Sequence, residues 1–119
     1  MLIKALADCP EIIANDGCRL RELLHPAHDP AGISYSLAMA WVDPHGATHP
    51  HVLAQTEVYF LIRGRGRMHI GDEVREVVAG DALVIPPGTA QWIENPHDEV
   101  LEFAAIVSPP WQAVDDKRV

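Results

Sequence analysis

Along most of this chain, hydrophobic and polar residues alternate in short runs separated by turn-forming residues, a pattern that predicts strands. The runs recur at a spacing typical of an all-β sandwich or barrel. The best helical candidate, Cys18–Leu24, fits a strand equally well. The predicted strands are Ile33–Val42, Val52–Leu53, Glu57–Ile62, Arg67–Ile70, Glu73–Val78, Ala82–Ile85, Gln91–Glu94 and Val100–Val107.

Glycine, proline and aspartate mark the predicted turns between these strands. Asp43-Pro44-His45-Gly46 ends the first long strand, and Gly71-Asp72 is a dipeptide of the kind that closes a β-hairpin. Within Glu57–Ile62, alternation puts Glu57, Tyr59 and Leu61 on one face. Both faces of this strand are apolar, which indicates that the outer face also packs against protein.

Composition limits the function classes. With 119 residues the chain is long enough for one domain. Its net charge of −8 and lack of a broad basic patch argue against binding to nucleic acid or to an anionic membrane. No apolar run approaches the roughly 18–20 residues that span a bilayer. The N-terminus lacks the pattern of a secretion signal, and Cys9 and Cys18 are expected to be unpaired thiols, so we expect a cytoplasmic protein.

The segment THPHVLAQTEVYFLIRGRG, residues 48–66, carries the clearest chemical signal. His49 and His51 are two positions apart, and in a strand such residues point to the same face. Two imidazoles placed in this way can converge on one ion, and Glu57 from the next strand can complete a set of two nitrogen ligands and one oxygen ligand. No nucleophile elbow, P-loop or dinucleotide-binding glycine motif is present.

Two spaced motifs make the chain resemble the small single-domain cupins. The second motif is matched at every interval by Gly80, Pro86, Gly88, Gln91 and Asn95, with glutamine in place of the histidine of that family. The first motif is carried by His49, His51, Glu57 and Gly64, with one residue more than usual between His51 and Glu57. The resemblance implies a double-stranded β-helix, or jelly-roll barrel, in a single domain. Its expected core covers about residues 33–107, with an N-terminal arm at 1–32 and a C-terminal tail at 108–119.

The resemblance also implies one divalent transition-metal ion, whether iron, manganese, nickel, copper or zinc, inside the barrel. His49, His51 and Glu57 match the ligands of that family, and Glu57 is also the residue expected to move protons. Gln91 stands where a third histidine would be, and it either ligates through its amide oxygen or hydrogen-bonds a bound water or substrate. Gln55 is an alternative third ligand, because it lies within the usual interval after His51. The other interpretation is a polar pocket that contains no metal.

The expected ligand is a small, partly apolar organic molecule bound among aromatic side chains. The candidate pocket residues are Tyr35, Met39, Trp41, Tyr59 and Phe103, and Trp111 is a further aromatic candidate near the barrel. Alternation places Tyr35, Met39 and Trp41 on one face, which is either the inner face or a dimer surface. Two function classes follow: a small metalloenzyme (an oxygenase, isomerase or lyase) and a non-catalytic small-molecule-binding protein. The resemblance also implies a homodimer, in which Ile12–Leu24 is a candidate for extending the sheet of the partner.

Overall fold

The chain folds into two antiparallel sheets that face each other, in a computed structural model that describes residues 1–119. The strands, numbered in chain order, are β1 (Ile12–Ile13), β2 (Arg19–Leu24), β3 (Ser36–Val42), β4 (His51–Leu53), β5 (Thr56–Arg63), β6 (Arg65–Ile70), β7 (Glu73–Val78), β8 (Ala82–Ile85), β9 (Gln91–Glu94), β10 (Leu101–Ser108) and β11 (Asp116–Arg118). Two short 3₁₀ turns, Leu6–Asp8 and Ala113–Asp115, complete the secondary structure.

One sheet has six strands in the order β1-β2-β3-β10-β5-β8, and the other has five in the order β11-β4-β9-β6-β7. Many neighbours in each sheet are distant in sequence, as expected for a jelly roll, in which the chain crosses repeatedly between the two layers. The all-β prediction and the predicted jelly-roll fold are therefore confirmed. The ambiguous Cys18–Leu24 segment forms strand β2 from Arg19 onward, and β2 pairs antiparallel with β3.

Alternation along β5 and β10 builds the core. Tyr59, Leu61 and Phe103 point inward and are at most 3% exposed, as the predicted alternation requires. Tyr59 packs on Phe103 with the ring centroids 4.3 Å apart. Cys9 and Cys18 are both free and buried. The sheets thus enclose an apolar centre, with one end left for polar side chains.

The two ends of the chain belong to the barrel. β2 of the N-terminal arm pairs with β3, and β11 of the C-terminal tail pairs with β4. Neither pairing was predicted: the β11 segment contains Asp116, Lys117 and Arg118, which show no apolar alternation. The arm predicted to extend the sheet of a partner is instead paired within its own chain, apart from the exposed outer edge of β1.

Asn95, the last residue of the second motif, ties the loops at one end of the barrel together. Its side chain is fully buried and donates hydrogen bonds to the carbonyl oxygens of Val42, Asp43 and Glu99 at 2.8–3.2 Å. The Asn95 Oδ1 atom accepts a hydrogen bond from the His97 backbone. The motif asparagine is therefore a structural residue, because it satisfies buried backbone acceptors that would otherwise lack a donor.

Candidate functional site

A cavity of about 180 Å³ lies between the two sheets, beneath the N-terminal arm and the C-terminal tail. Its wall is mainly apolar and includes Leu20, Ala38, Ala105 and Val107 from the six-stranded sheet. The polar part of the wall is formed by Asn15, Asp16, Glu22, Ser36, His51, Glu57 and Asp116, and Trp111 also lines the cavity. The cavity therefore joins an apolar chamber to a group of ionisable side chains, the usual composition of a small-molecule site.

Glu57 is held in the cavity wall by hydrogen bonds that cross the interior from one sheet to the other. The Gln91 amide nitrogen donates to Glu57 Oε1 at 2.7 Å, and the Tyr59 hydroxyl donates to Gln91 Oε1 at 3.1 Å. Gln91 is fully buried, and Tyr59 and Glu57 are 3% and 8% exposed. Both polar atoms of the Gln91 amide are thus used within the protein, and they fix the orientation of the carboxylate.

The surroundings of Glu57 bring its pKa close to neutral pH. Burial raises the pKa of Glu57 from 4.5 to about 7, and the nearby Asp16 and Asp116 carboxylates also raise it. The hydrogen bond from Gln91 and the proximity of His51 oppose this rise in pKa. A carboxyl group with a pKa near neutrality is able both to accept and to donate a proton at physiological pH. The same burial raises the pKa of the Tyr59 hydroxyl well above its usual value, so Tyr59 remains a hydrogen-bond donor.

His51 begins β4 and is paired directly with Gln91 of β9. Its ring is buried, with Nδ1 3.0 Å from the carbonyl oxygen of His49. Because a carbonyl only accepts, Nδ1 carries a hydrogen, and in the tautomer with a single ring hydrogen the Nε2 atom is an acceptor. This atom lies 3.8 Å from Asp16 Oδ2, too far for a hydrogen bond.

His49 does not join this group, although the sequence predicts that its ring converges with that of His51. The residue is exposed and is not part of the cavity wall. Residues 48–50 precede β4 and are not in a strand, so the rule that positions i and i+2 share a face does not apply. The His49 backbone amide instead bonds to the Asp16 carbonyl oxygen, which leaves its ring outside.

The predicted three-ligand metal centre does not fit this arrangement. Of its members, only His51 and Glu57 reach the cavity, and the Gln91 side chain is committed to Glu57 and Tyr59. No three histidine, cysteine, aspartate or glutamate side chains are grouped closely enough to hold a metal ion. The alternative ligand, Gln55, donates to Asp115 Oδ2 at 2.7 Å and is absent from the cavity wall.

The candidate pocket residues divide into two groups. The structure places Tyr35, Met39 and Trp41 outside the cavity, because β3 turns Ser36, Ala38 and Ala40 inward and leaves the alternate side chains on the outer face of the sheet. The Trp41 indole donates to Glu102 on that outer face and is covered by the Arg19 guanidinium.

Tyr59 and Phe103 do point inward, but they lie behind the cavity and do not line it. Tyr59 contributes to the site only through its hydrogen bond to Gln91. The small side chains Ala38 and Ala105 occupy the wall positions where the sequence analysis expected aromatic rings. The cavity exists in part because these positions carry only a methyl group.

Sequence reasoning missed Asp16 and Asp116, which the ends of the chain bring to the site together with Trp111, one of the predicted aromatic candidates. The Trp111 indole donates to Asp116 Oδ2 at 2.9 Å, and the Asn15 amide donates to Asp116 Oδ1 at 3.0 Å. The Asn15 bond fastens the N-terminal arm to the C-terminal tail, whereas the Trp111 bond lies within the tail. Asn15 and Asp116 are 101 residues apart in sequence, so no local signal predicts their contact.

A second depression of about 380 Å³ lies between the edge strands β7 and β8. It is larger than the first, but none of the predicted site residues lines it. Its charged residues Glu73, Arg75 and Glu76 are all exposed, so it is a surface groove. The smaller cavity, which contains the buried polar groups, is the better candidate site.

The sequence model of the cupin domain family matches residues 39–107. This match covers more than half of the chain and both motifs. The chain therefore belongs to the cupin family. An uncharacterised protein of Methanocaldococcus jannaschii is 38% identical to this cupin over 105 residues, which cover 87% of the chain and 82% of that protein.

Solved structures agree on the fold. A cupin 2 conserved barrel domain protein from Salinispora arenicola superposes on this cupin with a TM-score of 0.79 at 22% identity, covering 96% of this chain and 91% of that one. The polyketide cyclase RemF from Streptomyces resistomycificus superposes with a TM-score of 0.81 at 20% identity, covering 100% of this chain and 85% of that one. Similarity at this level of identity shows the fold alone.

In this cupin no helix is long and apolar enough to cross a membrane.

Proposed function

We propose that this cupin binds a small organic molecule in the cavity between its sheets, and that His51 and Glu57 contact the ligand without a divalent metal ion. The observation that carries this proposal is the cavity itself, an apolar chamber of about 180 Å³ with two buried ionisable side chains in its wall. A volume of this size is suited to a molecule smaller than a drug-sized ligand.

Two details favour binding without metal. Gln91, in the position where the resemblance expects a third histidine ligand, uses its amide to hold Glu57 and to accept from Tyr59. His49, the other expected ligand, is exposed and is not part of the cavity wall. For His49 and Gln91 to bind an ion in the cavity, the backbone before β4 must change conformation. The hydrogen bonds that Gln91 makes to Glu57 and Tyr59 must also break.

The test compares His49→Ala with His51→Ala. Each variant and the unaltered protein is treated with chelator, incubated with one equivalent of Fe²⁺, Mn²⁺ or Zn²⁺, and desalted, and the retained metal is measured by elemental analysis. We expect much less than one equivalent of retained metal in all three proteins. Retention of one equivalent by the unaltered protein, with loss in both variants, would show that both histidines are ligands and would overturn the proposal.

Organic molecules that copurify with the same proteins provide the positive result. We expect mass spectrometry of denatured extracts to find a small molecule bound to the unaltered protein and to His49→Ala, whose substituted side chain is outside the cavity. The His51→Ala extract should contain much less of it.

A catalytic role is the second candidate, favoured by the pKa of about 7 at Glu57. In this form the cupin is an isomerase or lyase in which Glu57 removes or returns a proton of the bound molecule. Incubation of the copurifying molecule with protein in D₂O tests this role, because reversible proton transfer exchanges hydrogen for deuterium. Deuterium uptake that is lost in Glu57→Gln would support catalysis, and no uptake with the unaltered protein would support binding alone.

We further propose that the cupin is a homodimer that forms through the outer face of the six-stranded sheet. Phe60, Ile62 and Val84 are 45%, 44% and 61% exposed on that face. They belong to the adjacent strands β5 and β8, so they form a continuous apolar surface. A contiguous apolar patch of this kind is characteristic of a protein interface.

The substitution Phe60→Asp tests the dimer, because it places a charge at the centre of this surface. We expect light scattering to give a dimer for the unaltered protein and a monomer for Phe60→Asp. Val74→Asp is the matched control, since Val74 is 53% exposed on the other sheet and should leave the dimer intact. A monomer before any substitution, or a dimer that survives Phe60→Asp, would contradict the proposed interface.

A further inference from the structure

The charged side chains that line the cavity are almost all acidic. Carboxylates from Asp16, Glu22, Glu57 and Asp116 face it, His51 supplies the only basic group, and no lysine or arginine is part of the wall. A bound carboxylate or phosphate would meet like charges with no cation to compensate them. The electrostatics of the cavity therefore oppose an anionic ligand.

Three acceptor atoms in the cavity wall make no hydrogen bond to another protein group. Glu57 Oε1 accepts from Gln91, but Glu57 Oε2 makes no hydrogen bond within the protein. In the tautomer with its hydrogen on Nδ1, the His51 Nε2 atom is an acceptor, and it faces Asp16 Oδ2 at 3.8 Å with no donor between them. Glu57, His51 and Asp16 are only 8%, 3% and 8% exposed. All three residues line the cavity, so a ligand that fills it is expected to supply the donors for these atoms.

We infer that the ligand is a small organic cation, a protonated primary amine with a compact apolar body. This inference rests on the proposed function and names its ligand class. An ammonium group has three donors and no acceptor, which complements the acceptors of Glu57, Asp16 and His51. The apolar body of the molecule then lies against Leu20 and the alanines of the wall.

Other donors fit the cavity less well. A neutral alcohol has one donor and cannot satisfy three acceptors. A divalent ion requires a group of ligating side chains that this chain does not assemble. An ammonium ion therefore matches both the charge and the hydrogen-bonding capacity of the wall better than either.

The test uses three probes of equal size with different head groups: isopentylamine, isopentanol and isovalerate. Their dissociation constants are measured by calorimetry on chelator-treated protein. We expect the amine to bind about tenfold or more tightly than the alcohol, because charge-assisted hydrogen bonds are stronger than neutral ones. Isovalerate should show no binding.

Two near-isosteric variants test whether the difference between amine and alcohol affinity arises in the cavity. Asp16→Asn and Glu57→Gln should each weaken amine binding by about tenfold while leaving alcohol binding within about twofold. Asp72→Asn and Glu99→Gln remove the same charges from exposed positions and should change neither. Asn and Gln keep an oxygen that can accept the bonds from the Cys18 backbone and from Gln91, so both variants are expected to fold.

The outcomes separate this inference from the proposed function. Equal binding of amine and alcohol would overturn the inference but leave a small-molecule site, and tighter binding of isovalerate would do the same. If no probe binds and the protein retains one equivalent of metal, both fail. Tighter amine binding that is unaffected by Asp16→Asn and Glu57→Gln would place the cation elsewhere and also overturn the inference.

Discussion

Glu57→Gln should remove the contribution that Glu57 makes to the pH dependence of stability of the metal-free protein between about pH 4.5 and 7. The folded state holds a proton on Glu57 with a pKa of about 7, whereas the ordinary value is 4.5. Because the folded pKa is the higher one, the folded state binds the proton more tightly than the unfolded state does. The contribution of Glu57 to stability is therefore full below about pH 4.5 and is lost as the pH rises through about 7.

The expected size of this loss is on the order of 3 kcal/mol, from about 1.4 kcal/mol for each pKa unit. Glutamine carries no charge and can still accept the bond from Gln91, so Glu57→Gln should be more stable than the unaltered protein at pH 8 by about that amount. Near pH 4.5 the two should be almost equal. Urea unfolding at several pH values measures the difference.

Groups other than Glu57 also titrate in this range, so the informative quantity is the difference between the two proteins. His51, Asp16 and Asp116 are the ionisable neighbours that influence Glu57, and all remain in the variant. Glu99→Gln is the control, because Glu99 is exposed and its removal should leave the pH profile unchanged. A stability difference for Glu57→Gln that is the same at pH 4.5 and pH 8 would contradict the assigned pKa.

The sequence predicts a strand correctly where its own residues carry the signal, that is, apolar alternation between turn-forming residues. The strands Glu73–Val78, Ala82–Ile85 and Gln91–Glu94 have the bounds predicted from alternation and turn residues. In these segments the turn chemistry and the apolar period agree, so local information is enough. The tail strand Asp116–Arg118 has no such period, and it forms because its backbone completes the edge of β4.

The candidate site shows the same division. Glu57 and Tyr59 face inward as predicted, because β5 is a regular strand and alternation holds along it. His49 does not, because Pro50 and its neighbours lie before the strand begins. Asp16 reaches the cavity from the arm, and nothing in its local sequence marks it as a site residue. The motif therefore identified the region of the site, but side-chain direction depended on where β4 starts.

The orientation of β3 explains why Tyr35, Met39 and Trp41 do not line the cavity. Alternation showed that Tyr35, Met39 and Trp41 share a face of β3, but it did not say which face is inside. The structure turns Ala38 and Ala40 inward, and Ala38 lines the cavity. Large apolar residues on the outer face are consistent with the proposed dimer.

Gly64→Ala should be among the most destabilising single substitutions in the chain. Gly64 joins β5 to β6 with a φ of +81°, a left-handed conformation that costs an L-residue about 1–2 kcal/mol. A Cβ atom at this position would also lie 2.5 Å from the carbonyl oxygen of Val100 and 3.2 Å from the Cα of Leu101. Both neighbours are backbone atoms, so the contact is relieved only if the start of β10 moves away from the turn.

Gly88→Ala separates the two causes. Gly88 has a φ of +75°, nearly the same as Gly64, but a Cβ there would meet no atom within 4 Å. We expect Gly88→Ala to lower the free energy of unfolding by about 1–2 kcal/mol and Gly64→Ala to lower it by at least about 2 kcal/mol more, as overpacking against backbone does. Urea unfolding of the three proteins at one pH measures both effects.

The displacement at Gly64 should also reach the site, because β10 pairs with β5, the strand that carries Glu57, along most of its length. A shift at the start of β10 must be absorbed in that pairing, whereas strain at Gly88 lies in a loop outside it. Amine binding should therefore weaken in Gly64→Ala under conditions where both variants are folded, and remain near normal in Gly88→Ala. Equal losses of stability in the two variants would show that conformational strain alone acts at Gly64, and that the close approach to Val100 is relieved at little cost.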